Sequence, residues 1–124
     1  MNKIFKYSFI ALLFLSLVSC TKNQVGGSAT VNGVVSHHGK AIADAYVYIK
    51  YDATEFPGDD YTLYNTFVKA DGSGNYSIPL YKGNYYIYAR GYDYAIPAPY
   101  IVKGGLSLTA RSSENLSKDI AVSE

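Results

Sequence analysis

The tyrosines are the side chains in this sequence best suited to recognising a ligand. The chain carries 14 Tyr and 5 Phe in 124 residues, with no Trp. Tyr46 and Tyr48 alternate with Val47 and Ile49, and Tyr86 and Tyr88 flank Ile87. Alternate residues of a strand share a face, so both pairs should point away from a core held by the aliphatic residues. A tyrosine joins an apolar ring to a polar tip, which suits stacking on a carbohydrate or packing in a protein interface. Aromatics also fit a pleated surface, so the same rings read as an exposed sheet face with no ligand. The loop at residues 92–100 is the segment placed to cover them if they are covered.

Other candidates carry less chemistry. His37 and His38 are adjacent, and neighbours on a strand diverge. The single Cys is Cys20 and no third His exists, so a zinc site would need Asp or Glu from afar to complete it. The pair reads as a solvated turn. Asp52, Glu55, Asp59 and Asp60 lie in one loop. Such an all-oxygen set could attract Ca²⁺, but on a flexible segment it reads as a solvated loop. Asp71, Ser73 and Asn75 begin like an EF-hand, yet Tyr76 and Lys82 stand where that loop requires Gly and Glu. They read as a hairpin turn. No HExxH, G-x-S-x-G or phosphate loop occurs. The expectation is therefore a chain with no catalytic residues, no metal and no cofactor.

The N-terminus carries an address. Lys3 and Lys6 precede an uncharged, mostly apolar run over residues 7–18. That run is shorter than the ~20 residues a membrane span needs and has signal-peptide proportions. Leu17-Val18-Ser19-Cys20 resembles the lipobox of bacterial lipoproteins. The resemblance implies cleavage before Cys20 and lipidation of its thiol, with residues 1–19 as the leader. Acyl chains contribute about 0.8 kcal/mol per buried CH₂, so several hold a chain on a membrane. Thr21 stands where lipoprotein sorting rules place an inner-membrane Asp, and residues 22–24 lack an acidic run. The resemblance thus implies an outer-membrane anchor, periplasm-facing ahead of cell-surface.

With Lys3 and Lys6 removed, nine cations face ten anions. Such a balance excludes a polybasic nucleic-acid binder. Residues 20–28 are polar and Gly-containing, and read as a lipidated Cys and flexible tether. From residue 29 to 124, short alternating runs are broken by turn signals, the pattern of an all-β sandwich. The runs are 29–36, 45–51, 63–70, 75–80, a fifth led by Tyr85, Ile87 and Ala89, then 101–109 and 116–122. Val47, Ile49, Tyr76, Ile78, Tyr85 and Ile87 are the expected core. Seven strands in one antiparallel or mixed sandwich follow, the strand number of an Ig-like domain.

Val31-x-Gly33-x-Val35, Ala45-x-Val47-x-Ile49, Asp71-x-x-Gly74-x-Tyr76-x-Ile78 and Gly83-x-Tyr85-x-Ile87 together resemble the carboxypeptidase regulatory-like domain. The resemblance implies a transthyretin-like (prealbumin-like) sandwich in which the strands at 45–51 and near 83–90 are neighbours. It also implies a non-catalytic accessory role. Transthyretin-like hydrolases carry a terminal Tyr-Arg-Gly-Ser, and residues 121–124 here are Ala-Val-Ser-Glu. Two functions are consistent with these residues. One is a lipid-anchored binding module for a glycan, a peptide or an envelope protein. The other is a structural accessory subunit of an outer-membrane transporter or surface assembly.

Overall fold

The computed structural model describes residues 21–124; the expected leader, residues 1–19, and the expected lipidation site Cys20 lie outside them. Nine strands form two sheets. In the first, β1 (Val25–His37) pairs with β2 (Lys40–Ala41) and β5 (Asn75–Leu80), and in parallel with β8 (Asn115–Ser117) and β9 (Ile120–Ala121). The second sheet has the order β4 (Thr66–Lys69), β3 (Tyr46–Tyr51), β6 (Gly83–Tyr92), β7 (Ile101–Ala110). It is antiparallel throughout. The chain is an all-β sandwich, and the strands at 46–51 and 83–92 are neighbours.

The period-2 pattern produces the core directly. Val47, Ile49, Ile78, Tyr85 and Ile87 are fully buried and Tyr76 nearly so. Fully burying each aliphatic side chain contributes roughly 1.5–3 kcal/mol. The two buried tyrosines keep their hydroxyls satisfied, as burial of a polar tip requires. Tyr85 reaches the Tyr81 carbonyl at 2.6 Å, and Tyr76 donates to the Lys118 carbonyl.

Several boundaries differ from the sequence reading. Two more strands are present than the expected seven, because β2 folds back on β1 and the last strand divides at Lys118 and Asp119. There the Asp119 carboxylate accepts the Val34 N–H at 2.9 Å, in place of a backbone partner. Gly33 permits this approach, because a Cβ would run into the Lys118 carbonyl. The expected tether is shorter, since β1 begins at Val25 and Asn23 N–H already bonds the Lys82 carbonyl at 2.9 Å. The strand expected at 63–70 is a 3-10 turn (Tyr61–Leu63) followed by β4.

The turn at 71–74 is not a hairpin, because β4 and β5 belong to different sheets. It carries the chain across the sandwich. Asp71 holds it by accepting the N–H groups of Ser73 and Asn75, both at 2.9 Å. Nor is His37 solvated. The alternation that buries Val31 and Val35 continues to it, leaving it 4% exposed against Asp93.

Candidate functional site

The outer face of the four-stranded sheet is a grid read from its register. Lys69, Tyr46, Arg90 and Lys103 form one row across β4, β3, β6 and β7. Phe67, Tyr48, Tyr88 and Gly105 form the next, and Lys50, Tyr86 and Ser107 the third. Tyr46, Tyr48, Tyr86 and Tyr88 therefore share this face. Cross-strand pairing sets Tyr48 directly opposite Tyr88.

The four rings differ in exposure. Tyr46 is 41% exposed, and Tyr48 and Tyr86 are partly buried. Tyr88, expected to be exposed, is only 3% exposed. Its cover is the loop between β3 and β4, not the 92–100 loop. Tyr64 stacks on Tyr88 at 5.7 Å and 14°, and Phe56 packs at 5.3 Å from Tyr88 and 5.7 Å from Tyr86. The loop holds its own shape through Tyr64 O–H donating to the Gly58 carbonyl at 3.0 Å. Asp60 adds to this by accepting the Thr62 N–H at 2.9 Å. Sequence reasoning missed these contributions because the loop was read from its carboxylates. Phe56, Tyr61 and Tyr64, spaced among them, were the available signal.

The rings form a continuous patch. Tyr48 lies 5.9–6.1 Å from Tyr61, Tyr64 and Phe67, and 6.3 Å from Tyr46. Phe56, Tyr61 and Phe67 are 49, 60 and 54% exposed. Such an area of exposed aromatic surface marks an interaction site more often than does a scattered apolar residue. A second cluster joins Tyr92, the last residue of β6, to Tyr94 and Tyr100 of the β6–β7 connection, with ring separations of 6.3 and 5.2 Å.

Beside the patch is a groove of about 310 Å³ lined by Phe56, Asp59, Tyr86, Tyr88, Lys103, Gly104 and Gly105, with Ser123 and Glu124. Gly105 lets β7 lie close to β6 here, since a Cβ would run into the Ile87 carbonyl and meet the Tyr86 ring at 2.8 Å. Asp59 is the polar centre. Tyr88 O–H donates to one carboxylate oxygen at 2.7 Å, and Lys103 Nζ approaches the other at 3.1 Å. The Tyr88 hydrogen bond, followed by Lys103, holds Asp59 below the usual carboxylate range. Burial, and then the Asp59 hydrogen bond, push the Tyr88 hydroxyl up. Burial raises Tyr48 and Tyr86 as well, and takes Tyr64 to about 12. All four are neutral hydrogen-bonding phenols at physiological pH.

Asp52, Glu55, Asp59 and Asp60 do not converge. Among the described residues no group of three His, Cys, Asp or Glu side chains could hold a metal ion. His37 Nδ1 lies 2.8 Å from Asp93, and Lys40 Nζ is 3.2 Å from the same carboxylate. That arrangement fastens the 92–100 loop to the end of β1.

No family model matches the sequence, and no curated protein matches it. Solved structures match the fold. A crystal structure of a DUF3823 family protein from Parabacteroides merdae aligns with a TM-score of 0.50 and 13% identity, over 79% of this chain. This chain spans 47% of that protein, about half its length. A "putative carbohydrate binding protein" from Pseudomonas aeruginosa aligns with a TM-score of 0.56 and 13% identity. That alignment covers 82% of this chain and 92% of the other. At such identity the likeness is one of fold.

Proposed function

We propose that this chain is a lipid-anchored, non-catalytic β-sandwich that binds a glycan on the outer face of its four-stranded sheet. The observation that carries the reading is the exposed aromatic patch flanking an open groove with a charged, hydrogen-bonding wall. Sugar rings present apolar C–H faces and polar edges. Tyr and Phe rings match the faces, while Asp59, Lys103 and the phenols match the edges. The fold shared with a protein described as carbohydrate-binding supports the choice of a glycan over a peptide. The absence of any recognised acid, base and nucleophile set in the sequence supports a binding role. The anchor is Cys20, and the proposed location is the periplasmic side of the outer membrane. The carboxypeptidase regulatory-like resemblance fits the same reading.

Affinity electrophoresis against a panel of neutral and acidic polysaccharides tests the function. Tyr86→Ala with Phe56→Ala should abolish retardation while leaving the thermal midpoint within a few degrees. A double variant that migrates like the parent on every retarding polymer would remove the glycan reading. Cys20→Ala should release the protein from membranes or leave the precursor uncut; undiminished lipid labelling would refute the anchor.

A further inference from the structure

The row Lys69, Tyr46, Arg90 and Lys103 sets cations between aromatic neighbours. Tyr48 and Tyr88 lie on one side and Tyr92 on the other. These cations are not equally committed. Lys103 is neutralised by Asp59 at 3.1 Å. Lys69 reaches only the ring of Tyr46, 5.9 Å from its centroid. Arg90 is partly buried, and among the described residues it makes no ion pair. Its register sets it on the outer face opposite Tyr46, with Tyr88 and Tyr92 as its same-face neighbours along β6.

A partly desolvated guanidinium without a carboxylate loses hydration and gains no ionic partner. Its planar fork can donate two parallel N–H bonds to an incoming carboxylate. Beyond Tyr46, a groove of about 340 Å³ is walled by Lys69, Tyr92 and Tyr94. That volume is at the lower end of small-ligand sites, which span about 300–1,000 Å³. Lys40 also lines it but is tied to Asp93 at 3.2 Å, and Asp44 is its one acid.

We infer that the glycan taken by this face is acidic, a polysaccharide whose uronate carboxylates dock on Arg90 and Lys69 while its rings stack on the flanking tyrosines. The inference rests on the glycan reading above and adds the charge of the ligand. The charge complementarity is local, because the two uncommitted cations stand on a chain close to neutrality overall.

The test uses the full-length protein in detergent with polygalacturonate, alginate and hyaluronan, each compared with its carboxyl methyl ester. The ester keeps the backbone and removes the charge. At least one acid form should bind about tenfold or more tightly than its ester at low salt, the scale of one charge-assisted hydrogen bond. The difference should shrink as salt rises. Arg90→Gln should lower that acid form to the affinity of its ester, and Arg90→Lys should recover only part of the loss. Equal affinity for acid and ester overturns the inference and leaves the glycan reading standing. So does binding confined to neutral polymers. An acid preference that survives Arg90→Gln combined with Lys69→Gln also overturns it. Binding to phosphatidylglycerol vesicles without preference among the polymers would assign the row to a membrane surface and overturn it too. No binding to any acidic, esterified or neutral glycan removes both readings together.

Discussion

Asp93 is buried where carboxylates rarely are, 5% exposed and 56 residues from its partner His37. It accepts from His37 at 2.8 Å, the Ala95 N–H at 3.0 Å and Lys40 at 3.2 Å. The His37 hydrogen bond leads these in holding its pKa well below the ordinary range. A carboxylate depressed in the folded state stabilises fully above its unfolded pKa, about 4, and that contribution disappears as pH falls toward the folded value. The thermal midpoint should therefore fall as pH drops below about 4, and Asp93→Asn should flatten this acid limb. Circular-dichroism melts from pH 2 to 7 decide it; parallel acid limbs in the two proteins would assign the acid loss elsewhere. At this scale the site was only partly legible in the sequence. Period-2 alternation turns Tyr46, Tyr48 and Tyr86 away from the core, and the neighbouring strands implied by the family resemblance put them on one face, as the β3–β6 pairing has it. The burial of Tyr88 depends on Phe56 and Tyr64 returning from a loop, and no local pattern encodes that return. The His37–Asp93 pair was half legible: alternation points His37 inward, but its partner lies across the fold.

Among the elements, β3 and β6 form the centre of the four-stranded sheet and bury Ile49 against Ile87, which are paired in register. Ile49→Ala and Ile87→Ala should each cost about 2–5 kcal/mol, because well-packed neighbours cannot collapse into the void. Urea denaturation measures this, and midpoints near that of the parent would contradict the register. The first sheet has a different weak point. Gly33→Ala would drive a methyl into the Lys118 carbonyl, which is backbone and already engaged by Tyr76. Loss of the Val34–Asp119 bond and a clear drop in thermal midpoint are expected. A midpoint within a degree of the parent would show that the β8–β9 link yields freely. The strands were legible wherever one face is apolar and the other polar, as in β3 and β5. Their partners across the sandwich were less so. An Asp-Gly turn signals a reversal without saying whether the next strand rejoins the same sheet. The short β8 and β9 are likewise set by Gly33, Tyr76 and Asp119, residues distant in sequence.

For the whole molecule, closure depends on the final residues. β9 lies alongside the second half of β1, and Ser123 exchanges backbone hydrogen bonds with Lys103 at 2.9 and 3.0 Å. Ile120 and Val122 are buried and join the two sheets to one core. Removing residues 120–124 exposes both pockets those side chains fill, a loss on the order of 5 kcal/mol against a total stability of about 5–15. The truncated chain should be cut rapidly by a low concentration of protease under conditions where the parent resists. Equal resistance would mean the sandwich closes without its last strand.

The parallel pairing of β1 with β8 and β9 also sets an order in time. Thr30 to Asn32 lie beside Asn115 to Ser117, so β1 waits for strands synthesised much later. Pairings this distant in sequence form slowly, in milliseconds to seconds, because the intervening chain must be gathered first. Until residue 120 arrives, β1 has no β9 partner and the sandwich cannot shut. A nascent chain of this topology keeps β1 incompletely paired until residues 115–121 have been added.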